Sequence, residues 1–212
     1  DTSKVENMQN MLYHALAFNN GDADGESNNP LNWNTSQVTN MTNMFKANYV
    51  FNQDIGNWDT SEVLSMQNMF YSAERFNQDI GSWNTSKVEN TAAMFKYAYV
   101  FNNGDVDGEY NKPLNWDTSS INNMTSMFVR ANVFNQEIGN WDTENVIIME
   151  TMFQQAVRFN KEIRYWNIDS IVSFTDMFLG ATAFKTEYSA DDTPTSSFFI
   201  IPEVPLPPDS YR

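Results

Sequence analysis

Apolar residues in this chain keep fixed distances from tryptophan. With each Trp as offset 0, Val or Ile stands at +5, Met at +8 and +11, Phe at +12, Ala at +15 and Phe at +18. Between Trp58 and Trp83 the unit is complete, with Val63, Met66, Met69, Phe70, Ala73, Phe76 and Ile80 separated by polar residues. Spacings of three and four from +5 to +15 place these side chains on one face of a short helix. The preceding Thr-Ser pair offers an N-cap, and Ser3 with Glu6, like Ser86 with Glu89, has capping-box spacing. The Ile80–Trp83 segment and its counterparts read as short extended runs that pair with the same run one coil away. Gly56, Gly81 and Gly139 fall where a turn needing positive φ is expected.

The period sets the architecture. Trp33, Trp58, Trp83, Trp116, Trp141 and Trp166 are separated by 25, 25, 33, 25 and 25 residues, and all 12 Met fall at +8 or +11. A fixed period in the twenties marks a solenoid, whose units bury their apolar faces only by stacking. The expected fold class is an α/β repeat solenoid, leucine-rich-repeat-like, with about seven coils each holding a short strand and a short helix. The six Trp belong to its core by this reading; a sugar-stacking platform is the alternative, disfavoured because Trp keeps the same period as buried Phe and Met. Asn at +19 is expected to form an internal ladder or to satisfy turn backbone, a structural role in either case. Residues 1–184 make up the solenoid, and 185–212 a C-terminal cap and Pro-rich tail, with 196–201 as a strand or extended cover.

Two units carry the same insertion of eight residues, Phe18-NNGDADGESNNPLN-Trp33 and Phe101-NNGDVDGEYNKPLN-Trp116. Asp22, Asp24 and Glu26 in the first, and Asp105, Asp107 and Glu109 in the second, place carboxylates at alternate positions by a Gly-bearing turn. Calcium is the cofactor this half-loop pattern points to, although the distant bidentate Glu of an EF-hand is missing. A solvated Asn/Asp/Gly turn is the plainer alternative.

Charge and composition narrow the function. A net charge of −15 disfavours nucleic acid and anionic membrane as partners. No apolar run reaches the roughly 20 residues of a membrane span. With no Cys and one His, His14, thiol chemistry is ruled out and a Ser-His-Asp triad has a single candidate base, read as a surface histidine. Gly21-x-x-x-Gly25 lacks the Lys and helix of a phosphate loop. The first residues, DTSKVENM, match +1 to +8 of the repeat without its Trp, so the chain reads as a piece of a longer polypeptide.

The pattern NWDTS-x-V-x-x-M-x-x-MF-x-x-A-x-x-FNQDIG resembles the BspA-type surface-protein repeat, a leucine-rich-repeat-like unit known from mycoplasma lipoproteins and other surface proteins. The resemblance covers about residues 1–184; the last Trp-led unit, WNIDSIVSFTDMF, departs by lacking Thr-Ser and the Met at +8. It implies an extracellular or cell-surface location, adhesion or protein interaction, and no enzymatic activity. The expected function is a noncatalytic interaction module that meets a protein partner. The alternative is a structural subunit that self-assembles into a filament, sheath or virion.

Overall fold

The computed structural model describes residues 1–22, 29–108 and 110–199. Successive units lie on one another in register. Trp58 and Trp83 stack with ring centroids 6.5 Å apart. The Phe residues at +12 form a column with steps of 5.5–6.0 Å. Those at +18 form a second, with steps of 5.5–6.3 Å. Within a coil the two rings face each other at 3.8–4.3 Å. All twelve Trp-led-unit Phe side chains are fully buried, so this double column is the core. The second insertion does not disturb it: Phe95 to Phe128, which spans that insertion, is a 5.6 Å step like its neighbours.

The coils themselves are not α/β. Among the described residues the one α-helix is Thr182–Tyr188, followed by the 3-10 turn Ser196–Phe199. No strand forms among the described residues; successive coils share one isolated parallel bridge each, from Asn7↔Asn40 to Ile148↔Ser173. The expected strand and helix in every coil is therefore incorrect, and the bridges fall at +7 instead of in the Ile-to-Trp run.

Two residues per coil with positive φ explain why no helix propagates. Offset +10 is left-handed in Asn10, Asn43 and Asn68, at φ 59, 57 and 53°. Offset +14 is left-handed in Ala47, Ser72, Tyr97, Arg130 and Gln155, at φ 56–63°. A right-handed helix cannot run through such residues. Backbone N–H groups instead alternate between two kinds of acceptor. Met69, Tyr71 and Ala73 donate to the carbonyls three residues back, at 3.1, 3.1 and 3.0 Å. Met66, Asn68, Phe70 and Ser72 donate to Asn90, Ala92, Met94 and Lys96 of the next coil, at 2.8–3.0 Å. A non-glycine residue in this region costs about 1–3 kcal/mol. Here the inter-coil bond donated by its own N–H offsets that cost.

Side chains complete the stacking. The Trp indole N–H groups donate to the preceding unit, as Trp58 does to the Leu31 carbonyl at 2.7 Å and Trp116 to that of Ile80 at 3.0 Å. Buried Thr60 and Thr118 at +2 donate to Asn84 and Asp142 carbonyls of the next coil. The expected capping role is thus replaced: Ser86 bonds Asn84 Oδ1 through both its N–H and its hydroxyl. Asn at +19 does form a ladder, each Oδ1 accepting from the next Asn N–H at 2.8–3.0 Å from Asn19 to Asn160.

Gly56, Gly81 and Gly139 do lie in turns, but they are absent from the positive-φ residues, which corrects the expected φ. They are needed for close approach. A Cβ on Gly56 would sit 2.7 Å from the Asp79 carbonyl oxygen, and one on Gly81 2.5 Å from that of Pro113.

At the far end, Phe178 N donates to the Asp192 carbonyl and Asp176 N to Thr193 Oγ1, both at 2.8 Å. These are the donors that elsewhere reach the next coil, so residues 192–193 stand in for one. Phe198 and Phe199 pack over Phe178 and Phe174 from a 3-10 turn, where a strand or extended segment was expected. Ile200 and Ile201 lie outside the described residues.

Asn48 occupies the +15 site that is Ala in the five following coils, and it is fully buried with its Nδ2 unpartnered. Its Oδ1 takes the Phe51 N–H, a bond the +15 carbonyl accepts in other coils, as Ala73 O does from Phe76 N. Asn48→Ala should therefore stabilise the chain by about 1 kcal/mol, raising the melting temperature by about 2–4 °C. Differential scanning calorimetry checks this; a lower melting temperature would mean that the amide is not an unsatisfied donor.

Candidate functional site

The two acidic insertions divide into a buried part and an exposed part. Asp22 and Asp105 are 5% and 3% exposed. Asp105 Oδ2 accepts from Asn102 Nδ2 at 3.3 Å and Gln136 Nε2 at 3.2 Å, while its Oδ1 accepts from Gly108 N at 2.9 Å. Asp22 Oδ2 is held the same way, by Asn19 at 3.2 Å and Gln53 at 3.0 Å. Each loop is thus clasped to the following coil by a Gln at +20. Asp107 is exposed. Asp24, Glu26 and Glu109 lie outside the described residues. Among the described residues no cluster of three or more Asp, Glu, His or Cys side chains could hold a metal ion.

Of the six sequence-designated Trp, five are 2–4% exposed, and Trp33 is half-buried, stacked on Trp58 at 5.9 Å. Their faces are covered by the neighbouring rings rather than offered to a ligand. His14 is exposed, with its ring edge-on to Tyr13 at 5.0 Å. The carboxyls of Asp59, Asp117 and Glu162 are held below their ordinary pKa. Hydrogen bonds from Ser61 and Ser119 lower the first two, and those from Arg164 lower the third.

Sequence reading missed a surface band that the stacking assembles from offsets +13 to +17. Backbone bonds from +14 N–H to the next coil's +13 carbonyl tie it together, for instance His14 to Lys46, Ser72 to Lys96 and Tyr97 to Val129 at 2.8–2.9 Å. Its 35 positions hold Lys46, Arg75, Lys96, Arg130 and Arg158 but one acid, Glu74, of the 27 in the chain. Five of the nine tyrosines, Tyr13, Tyr49, Tyr71, Tyr97 and Tyr99, are here too. Lys46 Nζ lies between two rings, 5.9 Å from Tyr13 and 4.9 Å from Tyr71. Arg130 lies 5.7 Å from the Tyr97 ring and Lys96 5.6 Å from it. Burial, reinforced by Tyr97, pushes the Tyr71 hydroxyl pKa up. The five ion pairs among the described residues all use other cations: Lys87, Lys112, Lys161, Arg164 and Lys185. Among the described residues, none of the band's five cations takes part in an ion pair. Charge tallied by repeat offset, rather than along the chain, is the signal that would have found the band.

Beside the band, under the second insertion, is a cavity of about 280 Å³ lined by Asn102, Asp107, Tyr110, Asn135, Arg158 and Lys161.

With this geometry in view, the family model described as Mycoplasma protein of unknown function, DUF285, matches residues 1–25, 22–112 and 105–198. The chain belongs to the DUF285 family. The matches of this DUF285 chain cover every Trp-led unit and run through the cap to residue 198, so the band and both insertions fall within them. No curated protein and no solved structure matches it. Among the described residues of this DUF285 protein, no helix is long and apolar enough to cross a membrane.

Proposed function

We propose that this chain is a noncatalytic interaction module, displayed at a cell surface or outside the cell, that engages a protein partner through the +13 to +17 band. The observation that carries this reading is the band's composition: five cations against one acid, with Lys46, Lys96 and Arg130 over exposed or half-buried tyrosines, in a chain of net charge −15. Charged groups that find partners within a protein contribute to its own fold, whereas unmatched ones beside exposed aromatics are what interfaces use. The motif's resemblance to the BspA-type repeat supports the surface location and an adhesive role.

Two measurements test it. Protease treatment of intact producing cells should remove the chain, and beads coated with it should adhere to animal-cell monolayers. Lys46→Glu, Lys96→Glu and Arg130→Glu together should reduce adhesion at least tenfold while lowering the melting temperature by only a few degrees, the cost of the lost cation–π contacts. A chain protected inside intact cells, or adhesion indifferent to the triple variant, overturns the proposal. Filaments of purified chain seen by electron microscopy would put self-assembly in its place.

A further inference from the structure

Resting on the interaction reading above, we infer that the band receives an extended acidic polypeptide segment studded with apolar residues, lying along the stack with alternate side chains one per coil. Three observations select this occupant. The first is charge: five cations and one acid line the band, so an anionic ligand meets attraction there and repulsion elsewhere on the molecule.

The second is pitch. Coils repeat every 5.5–6.0 Å along the Phe column. Alternate side chains of an extended chain recur every ~6.7 Å, about 1 Å more than this, so a segment stays within about 2 Å of register over three coils. Lys46, Tyr71 and Lys96, all at +13, lie in three consecutive coils, so such a segment would meet cation, ring and cation in turn.

The third is the aliphatic row beside the rings. Leu16, Val100 and Val157 are 40–49% exposed, and Val50 and Val133 are half-buried on the same edge. An anionic polysaccharide can use lysines and tyrosine faces but gains little from this aliphatic row. A polypeptide with Leu, Val or Tyr between its acids buries it.

The test uses the full chain and fluorescent probes of equal length: a random glutamate–tyrosine copolymer, polyglutamate, and dextran sulfate. The copolymer should bind at least tenfold more tightly than polyglutamate, and salt should weaken it. Lys46→Glu with Lys96→Glu should lower its affinity at least tenfold, and the milder Lys46→Gln with Lys96→Gln should also lower it, both with melting temperatures within a few degrees of the parent's. Equal copolymer affinity in these variants overturns the placement. Tighter binding of dextran sulfate than of copolymer overturns the polypeptide class in favour of an anionic glycan. A dimer dispersed by the variants would make a second copy the occupant, overturning the inference. Charge-sensitive adhesion without copolymer binding overturns this inference alone and leaves the interaction module standing.

Discussion

Phe95→Ala is expected to remove about 3–5 kcal/mol of stability, the usual cost of emptying a buried phenylalanine site. Phe95 lies at the junction of both columns and both directions of the stack. Its ring is 3.8 Å from Phe101 within the coil, 5.7 Å from Phe70 on one side and 5.6 Å from Phe128 on the other. Trp116 closes it at 6.3 Å. Removing the ring leaves a void lined by four aromatic groups whose backbone is pinned by inter-coil hydrogen bonds, so collapse is restricted. In a repeat array, stability is a sum of unit and nearest-neighbour terms, and a central gap weakens two interfaces at once. The melting temperature should fall by about 10 °C or more. Tyr110→Ala, at a residue 66% exposed, serves as the control and should change it little. Equal effects from the two would mean that the Phe columns do not carry the fold.

The elements legible in sequence were those that repetition itself encodes. Phe, Met and Trp at constant offsets could be read as buried columns because no local conformation needs to be known for that. The Asn19-to-Asn160 ladder was legible for the same reason. Local conformation was not legible. A helix face and a run of turns broken by left-handed residues both bring +8, +11, +12 and +15 inward, so the three-and-four spacing could not separate them. Asn at +10 hinted at positive φ in three units, but +14 is Ala, Ser, Tyr, Arg or Gln in five coils, which gives no such hint. There the conformation is imposed by a hydrogen bond to a residue more than twenty positions away. Gly56 and Gly81 were noticed in the right place for the wrong reason, since the carbonyl that excludes a Cβ belongs to another coil. Asp105 was likewise visible as a loop acid, while its clasp, Gln136, stands 31 residues on. The band at +13 to +17 demanded that charges be compared across coils, which makes it a property of the stack more than of any stretch of sequence.

Asn102→Asp should be strongly destabilising at neutral pH, although it changes one atom of the side chain. Asn102 is 2% exposed and joins three parts of the fold. Its N–H donates to Asn77 Oδ1 at 2.8 Å, and its own Oδ1 accepts from Asn135 N at 2.8 Å, so the ladder passes through it. Its Nδ2 donates to the Asp105 carbonyl at 3.1 Å and to Asp105 Oδ2 at 3.3 Å, which holds the neck of the second insertion. An aspartate keeps the ladder acceptor but turns this donor into an oxygen facing a buried carboxylate. Leaving a buried charge so placed costs about 3–5 kcal/mol. Repulsion and burial raise the introduced carboxyl's folded pKa above its unfolded value of about 3.9. A raised folded pKa means stability is fully present below the unfolded value and is lost as pH rises through the folded one. Asn102→Asp should therefore approach the parent chain near pH 4, where its protonated oxygen again donates to Asp105, and fall well below it at pH 7. Asn77→Asp is the matched control, because Asn77 Oδ1 faces the N–H groups of Asn102 and Gly104, at 2.8 and 2.9 Å, which favour a carboxylate. Urea denaturation of both variants at the two pH values decides the matter. A pH-independent loss in Asn102→Asp, equal to that of Asn77→Asp, would show that the contact with Asp105 does not hold the insertion.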